Sequence, residues 1–191
     1  MLLLAASLAY ADPAPPTAAH RPGEAFDRPF AVASYAAVRG GSYEAGGVGG
    51  RIRIQPFARF GLDAYLEATV VDWEGGFRHD YPNGFNLYAA LPIGPVRVTP
   101  YIGACDVLSF AEPVEKGGPR ADDVMVGLHA GVGAEVAVAS AFSVFVDGQG
   151  DLYGGHDRSM HGWTGDVGEA LIPVVTGQVN VGVQYHVPNF R

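Results

Sequence analysis

The chain has 191 residues, 48% of them hydrophobic and 17% charged, and a formal net charge of -8, a length and apolar content that suit one domain with a sizeable core. No cluster of Lys and Arg offsets the negative charge, so the counterion release that drives binding to nucleic acid has no footing here. The 27 glycines and 14 prolines follow no fixed repeat and Cys105 is the only cysteine, which excludes a collagen-like chain and an internal disulfide and favours a turn-rich all-β fold.

Residues 1–11, MLLLAASLAYA, pair a short apolar run with Ala9-Tyr10-Ala11, the small-x-small pattern of signal-peptidase sites, and predict export. No Lys or Arg precedes Arg21, so a start upstream of Met1 is expected; the competing reading is the apolar N-terminus of a cytosolic protein. Residues 12–28, DPAPPTAAHRPGEAFDR, are rich in Pro and Ala without periodicity and read as an extended tether. Residues 29–191 form the expected domain. No later segment has 18 uninterrupted apolar residues, so no transmembrane helix is predicted.

Eight strands are predicted along that domain. Phe30 to Val38 and Gly47 to Gln55 come first. Ala58 to Val70 is the first clear alternation, with Ala, Phe, Leu, Ala, Leu, Ala and Val at even positions and Arg59, Asp63, Tyr65, Glu67 and Thr69 among the odd ones. Phe85 to Leu91 and Val96 to Leu108 follow. In Val124 to Val138 every even position is Val, Leu or Ala, and the odd face carries His129 and Glu135. Phe142 to Leu152 places Phe142, Val144 and Val146 opposite Ser143, Asp147, Gln149 and Asp151, and Val179 to Val187 places Val and Tyr opposite Asn180, Gln184 and His186, with Gln178 in phase with the polar set. Tight turns are expected at Gln55 to Ala58, Pro92 to Pro95 and Ala139 to Ala141. Longer polar loops are expected at 39–46, 72–84, 109–123 and 154–171. In an up-and-down meander this alternation gathers the short connections on one rim and the long ones on the other, the anatomy of outer-membrane barrels.

Period alone does not fix which face is wet, because a soluble lipocalin-like barrel with an apolar ligand alternates in the same way. The four clear stripes hold about 28 positions without a charge, where the overall content would place about five. The opposite face offers Gly, Asn, Gln and Tyr with mixed Arg and Asp or Glu, and Lys116 is the only lysine in the chain, unlike an ordinary water-facing sheet. A narrow polar lumen fits this mixture, with Arg51, Arg53, Arg59, Asp63, Glu67, Glu135, Asp147 and Asp151 pairing across it. His129, Gln149, Gln178, Asn180, Gln184 and His186 complete the expected interior network. Thirteen residues at about 3.3 Å each, tilted by about 40°, cover roughly 30 Å along the normal, enough for the apolar band of a bilayer. Tyr185, Tyr88, Tyr101, Trp73, Phe77, Phe142 and Phe57 fall near strand ends, where aromatic girdles are expected.

The hairpin GVGGRIRIQPFARFGLDAYLEA, the segments VRVTPYIGAC and GLHAGVGAEVAVASAFSVFVDG, and the closing GQVNVGVQYHVPNF resemble the eight-stranded outer-membrane β-barrels of the OmpA/OmpX-like group. The resemblance implies an all-β, antiparallel up-and-down transmembrane barrel in a Gram-negative outer membrane, inserted by the barrel-assembly machinery among outer-membrane lipids. It also implies a lumen filled by side chains; with the barrel as an anchor, function is expected in the loops, with a surface ligand met through 109–123 and 154–171. A monomer is expected. Phe190 departs from the group's closing pattern, being out of phase with Val183, Tyr185 and Val187 and followed by Arg191.

Candidate chemistry is sparse. His156 and His161 share the 154–171 loop with no third donor at fixed spacing, so they specify no metal. Outer-membrane lipid-modifying enzymes use Ser and His near a rim, and Ser109 or Ser159 would be the nucleophile of such a site, yet no spacing selects a pair. Gly46-Gly47-Val48-Gly49-Gly50 enters no helix and so is not a phosphate loop; glycines relieving crowding in a small barrel account for it. No catalytic, cofactor or metal residue is assigned, and a non-enzymatic anchor for surface loops is the expected role, with the lipocalin-like carrier and the lipid-modifying enzyme as alternatives.

Overall fold

A computed structural model of the chain describes residue 26 and residues 28–73, 76–111, 121–155 and 174–188. The strands are β1 (Phe30–Gly41), β2 (Ala45–Ile54), β3 (Phe60–Trp73), β4 (Gly76–Ala89), β5 (Leu91–Ile93), β6 (Val96–Ala111), β7 (Ala121–Ala137), β8 (Phe142–Gly155) and β9 (Val174–His186). All pairings are antiparallel. The sheet runs β4-β3-β2-β1-β9-β8-β7-β6-β5 and is closed by a β4–β6 ladder. Across Ala90, β5 continues the line of β4 along β6 in one register, from Tyr88 opposite Tyr101 to Leu91 opposite Val98. The nine segments are therefore eight staves of a closed barrel, and closure leaves no strand edge unpaired.

Each stave alternates strictly, and the alternation sorts side chains by solvent. On β9, Val179, Val181 and Val183 are 53%, 59% and 52% exposed, whereas Gln178, Asn180 and Gln184 are 2%, 5% and 0% exposed. Exposed Val, Leu, Ile and Phe cover the outside of every stave, and the buried set includes five arginines and six carboxylates. A water-soluble barrel would bury these faces the other way round. With an apolar exterior and a charged, packed interior, the fold is that of a transmembrane barrel, and the soluble lipocalin-like arrangement is excluded for the described residues.

The short connections and both ends of the domain share one rim. Its turns lie at 55–59, 94–95 and 138–141. Gly94 has φ +61° in the two-residue turn with Pro95, a left-handed conformation that costs glycine little. At the opposite rim the strands run further than the sequence pattern indicates. The expected loop 39–46 shrinks to residues 42–44 and the expected loop 72–84 to residues 74–75, because β1, β2, β3 and β4 extend into them. Residues 112–120 and 156–173, most of the other two loops, lie outside the described residues, as do the signal-like segment and 189–191. Pro82 explains part of the misreading of β4: it lacks an N–H, and the β3–β4 ladder is interrupted between the Leu66–Asn83 and Thr69–Asp80 pairs while the ladder to β6 continues.

Candidate functional site

Three tiers of side chains fill the lumen. Nearest the short-turn rim, β7 projects Glu135 into a ring of donors supplied by β2, β6, β8 and β9. One carboxylate oxygen accepts from Arg97 Nη2 at 2.5 Å and Arg53 Nη1 at 3.1 Å; the other meets Gln184 Nε2 at 3.1 Å, His186 Nε2 at 2.9 Å and the hydroxyl of Ser143. Arg53 also forks onto Asp63 at 2.8 and 2.9 Å, the bidentate geometry for which guanidinium is suited. Phe26, from the tether, lies beneath this tier with its ring 4.4 Å from the Arg97 guanidinium and edge-on to His186.

In the middle tier Asp147 accepts from Arg51 at 3.1 Å, Asn180 at 2.8 Å and Tyr101 at 3.3 Å. His129 bonds Asn86 and takes the edges of the Tyr65 and Tyr101 rings. Inward glycines make space for these rings. A Cβ at Gly131 would lie 2.5 Å from the Tyr101 ring, and one at Gly49 would lie 2.5 Å from that of Tyr35; each glycine is the cross-strand partner of its tyrosine. The void among Tyr35, Arg51, Tyr65, Glu67 and their neighbours is about 10 Å³, room for one water at most.

Toward the long-connection rim, Glu67 joins Tyr35 at 3.0 Å, Gln178 at 2.7 Å and Arg39 at 3.5 Å, and Asp151 joins Thr176 at 3.0 Å and Gln149 at 2.7 Å. Arg78 pairs with Asp80 at 2.8 Å. The same rim holds a buried apolar cluster of Tyr43, Val71, Cys105, Val107, Met125, Tyr153 and Val174, with Val71 directly across the ladder from Arg78 and the Arg78 guanidinium 4.9 Å from the Tyr43 ring.

The structure thus brings Arg51, Arg53, Asp63, Glu67, His129, Glu135, Asp147, Asp151, Gln178, Asn180, Gln184 and His186 together as buried lumen residues, with Gln149 half-buried and hydrogen-bonded. Arg59 is a correction. It sits in the turn before β3, exposed, one residue short of the strand whose alternation it continues in sequence. Tyr88 and Tyr101 are a second correction, because they turn into the lumen, 3% and 6% exposed, rather than into a girdle. Phe142 and Tyr185 stack on the outside at 5.0 Å, and Phe57 and Phe77 are exposed; the Trp73 side chain lies outside the described residues. Sequence reasoning missed Arg39, Arg78, Asp80 and Arg97. Arg39 continues the odd-numbered inward face of β1, so extending the alternation one turn further was the available clue.

Ser143, His186 and Glu135 have the composition of a hydrolytic triad but not its wiring. Ser143 and Glu135 both meet His186 at Nε2, while His186 Nδ1 has no hydrogen-bond partner among the described residues. A triad needs the acid on one ring nitrogen and the nucleophile on the other. Ser143 is 0% exposed, so substrate has no approach to it. Among the described residues no group of three His, Cys, Asp or Glu side chains is placed to hold a metal.

The chain has the fold of eight-stranded outer-membrane barrels. It is similar to Neisserial surface protein A, at 18% identity over 83% of this chain and 97% of that one, with a TM-score of 0.57. It is also similar to the N-terminal β-barrel domain of Pseudomonas aeruginosa OprF, at 12% identity over 81% and 96% with a TM-score of 0.51. Ail, the attachment invasion locus protein of Yersinia pestis, matches at 12% identity over 82% and 95% with a TM-score of 0.50. No protein-family model and no curated protein sequence matches the chain.

Proposed function

We propose that the chain is an integral protein of a Gram-negative outer membrane, exported through the periplasm, inserted by the barrel-assembly machinery, and acting without catalysis as a rigid mount for loops at the cell surface. The observation that carries this reading is the inverted burial: hydrocarbon-compatible residues cover the outside while paired charges fill the inside. Among the described residues the void at the centre of the lumen holds at most one water, which favours a packed lumen over a pore. Contact with surface ligands then falls to the long connections, 112–120 and 156–173. The fold likeness to Ail, whose name refers to attachment, is compatible with an adhesive or binding role.

Cell fractionation with protease shaving tests the proposal. The expected result is a heat-modifiable band extracted only by detergent, cleaved within 156–173 by protease added to intact cells. A product released with the soluble fraction, or one cleaved only after the outer membrane is opened, contradicts it.

A further inference from the structure

The apolar exterior has a polar interruption. Asn83 of β4 and Asp106 of β6 stand opposite each other on the outward face, both half-exposed, with Asn83 Nδ2 donating to Asp106 Oδ2 at 2.9 Å. Leu66 and Val126 flank the pair in the same cross-strand row. Tyr81, Phe85, Ala104 and Leu108 are its outward neighbours along the strands. Polar groups are thus surrounded by apolar ones on every side. The bond uses one of the two N–H groups of Asn83 and one of the two carboxyl oxygens of Asp106; the remaining polar atoms have no partner among the described residues, and hydrocarbon offers none. Polar and ionisable groups in such positions mark sites of function. Immediately toward the short-turn rim the wall hollows by about 640 Å³ between Phe85, Leu87 and Leu128, over a floor that includes Ala104, Ala130 and Gly150.

We propose that this β4–β6 wall is the interface with a second copy of the chain in the plane of the membrane. The inference rests on the reading that the wall is immersed in lipid. An acyl chain would fill the hollow but brings no donor to the polar pair, because lipid donors belong to headgroups outside the hydrocarbon. A second copy inserted the same way, related by a two-fold axis along the membrane normal, brings its own Asn83 and Asp106 to the same depth by symmetry. The free N–H of each Asn83 then meets the free carboxyl oxygen of the other copy's Asp106, and four N–H···O bonds close a ring about the axis. Small residues in the hollow let the two walls approach closely, as small residues do between membrane helices.

Single-molecule photobleaching of the full chain in phosphatidylcholine vesicles, labelled through Ser159→Cys in a Cys105→Ala background, measures the dimer population directly. Two-step bleaching is expected for the native wall. Combined Asn83→Leu and Asp106→Leu substitution should lower the dimer population at least tenfold while preserving the heat-modifiable barrel. Asp106→Asn, which keeps the hydrogen-bonding capacity, should stay within threefold of native. A cysteine replacing Leu108 should form an interchain disulfide, and one replacing Val181, on the far wall, should not. Single-step bleaching of the native chain, which leaves lipid as the sole occupant, overturns the proposal. So do an undiminished dimer in the double leucine variant, a loss with Asp106→Asn as large as with leucine, or equal cross-linking at positions 108 and 181. Failure of the membrane reading itself gives a different result, a native chain that neither inserts into vesicles nor shifts on heating.

Discussion

The outer wall and the lumen of this barrel are built from the same strands and the same two-residue period, and they answer opposite demands. Outside, Val181 needs only to be apolar and of any compatible shape, because lipid chains adapt to it. Inside, Glu135 must meet Arg97, Arg53, Gln184, Ser143 and His186 at once. The comparison teaches that in a small membrane barrel specificity of packing within one chain lies in the polar interior, while the apolar surface away from the β4–β6 wall carries solvation. Five arginines against six carboxylates leave the lumen close to neutral, so most of the chain's charge of -8 resides elsewhere.

That contrast ranks the effects of substitution. Glu135→Ala removes the shared acceptor, leaving Arg97 with uncompensated buried charge and Arg53 with Asp63 alone, a loss of about 3 to 5 kcal/mol; urea unfolding from lipid vesicles should show it as the largest destabilisation of the set. Val181→Arg places a charge on the lipid face and should cost about 2 to 4 kcal/mol in the same assay if the residue lies near the bilayer midplane. An equal cost for Asn180→Arg and Val181→Arg would erase the distinction between the faces. Gly131→Ala should cost about 1 to 3 kcal/mol, because the added methyl must displace the Tyr101 ring, which lies 2.5 Å from where a Cβ would be. Arg59→Gln, at an exposed turn, should change stability by less than about 0.5 kcal/mol. A larger loss there would return Arg59 to the lumen network from which its position in the turn removes it.

The eight staves and the direction of their faces were legible in the sequence because β8, β9 and, from Val124 onward, β7 alternate without a single charge in the apolar lane. The first half of β4 was not. Gly76 to Gly84 reads GFRHDYPNG, a stretch whose Pro, Asn and Gly imitate a loop and whose Arg78 and Asp80 look solvated. Its even lane in fact faces inward, where Arg78 and Asp80 form a buried ion pair, and its odd lane, Phe77, His79, Tyr81, Asn83 and Phe85, is an aromatic stripe broken by polar residues. Local composition misleads where a membrane protein buries ion pairs and exposes apolar groups, since both cues are weighted for water. The Asn83–Asp106 pair escaped for a related reason: neither residue breaks the alternation of a stripe strong enough to be read on its own. Burial of the lumen set, Arg59 at the strand end apart, by contrast followed from phase once the face was chosen.

The claim beneath all of this is that the stripe containing Val179, Val181 and Val183 meets hydrocarbon. Spin labels at these three positions, placed one at a time in a Cys105→Ala barrel folded into vesicles, test it through collision with molecular oxygen and with a water-soluble nickel chelate. The account predicts strong broadening by oxygen and almost none by nickel at all three sites. Labels that respond to nickel as readily as to oxygen, or to neither, would contradict it.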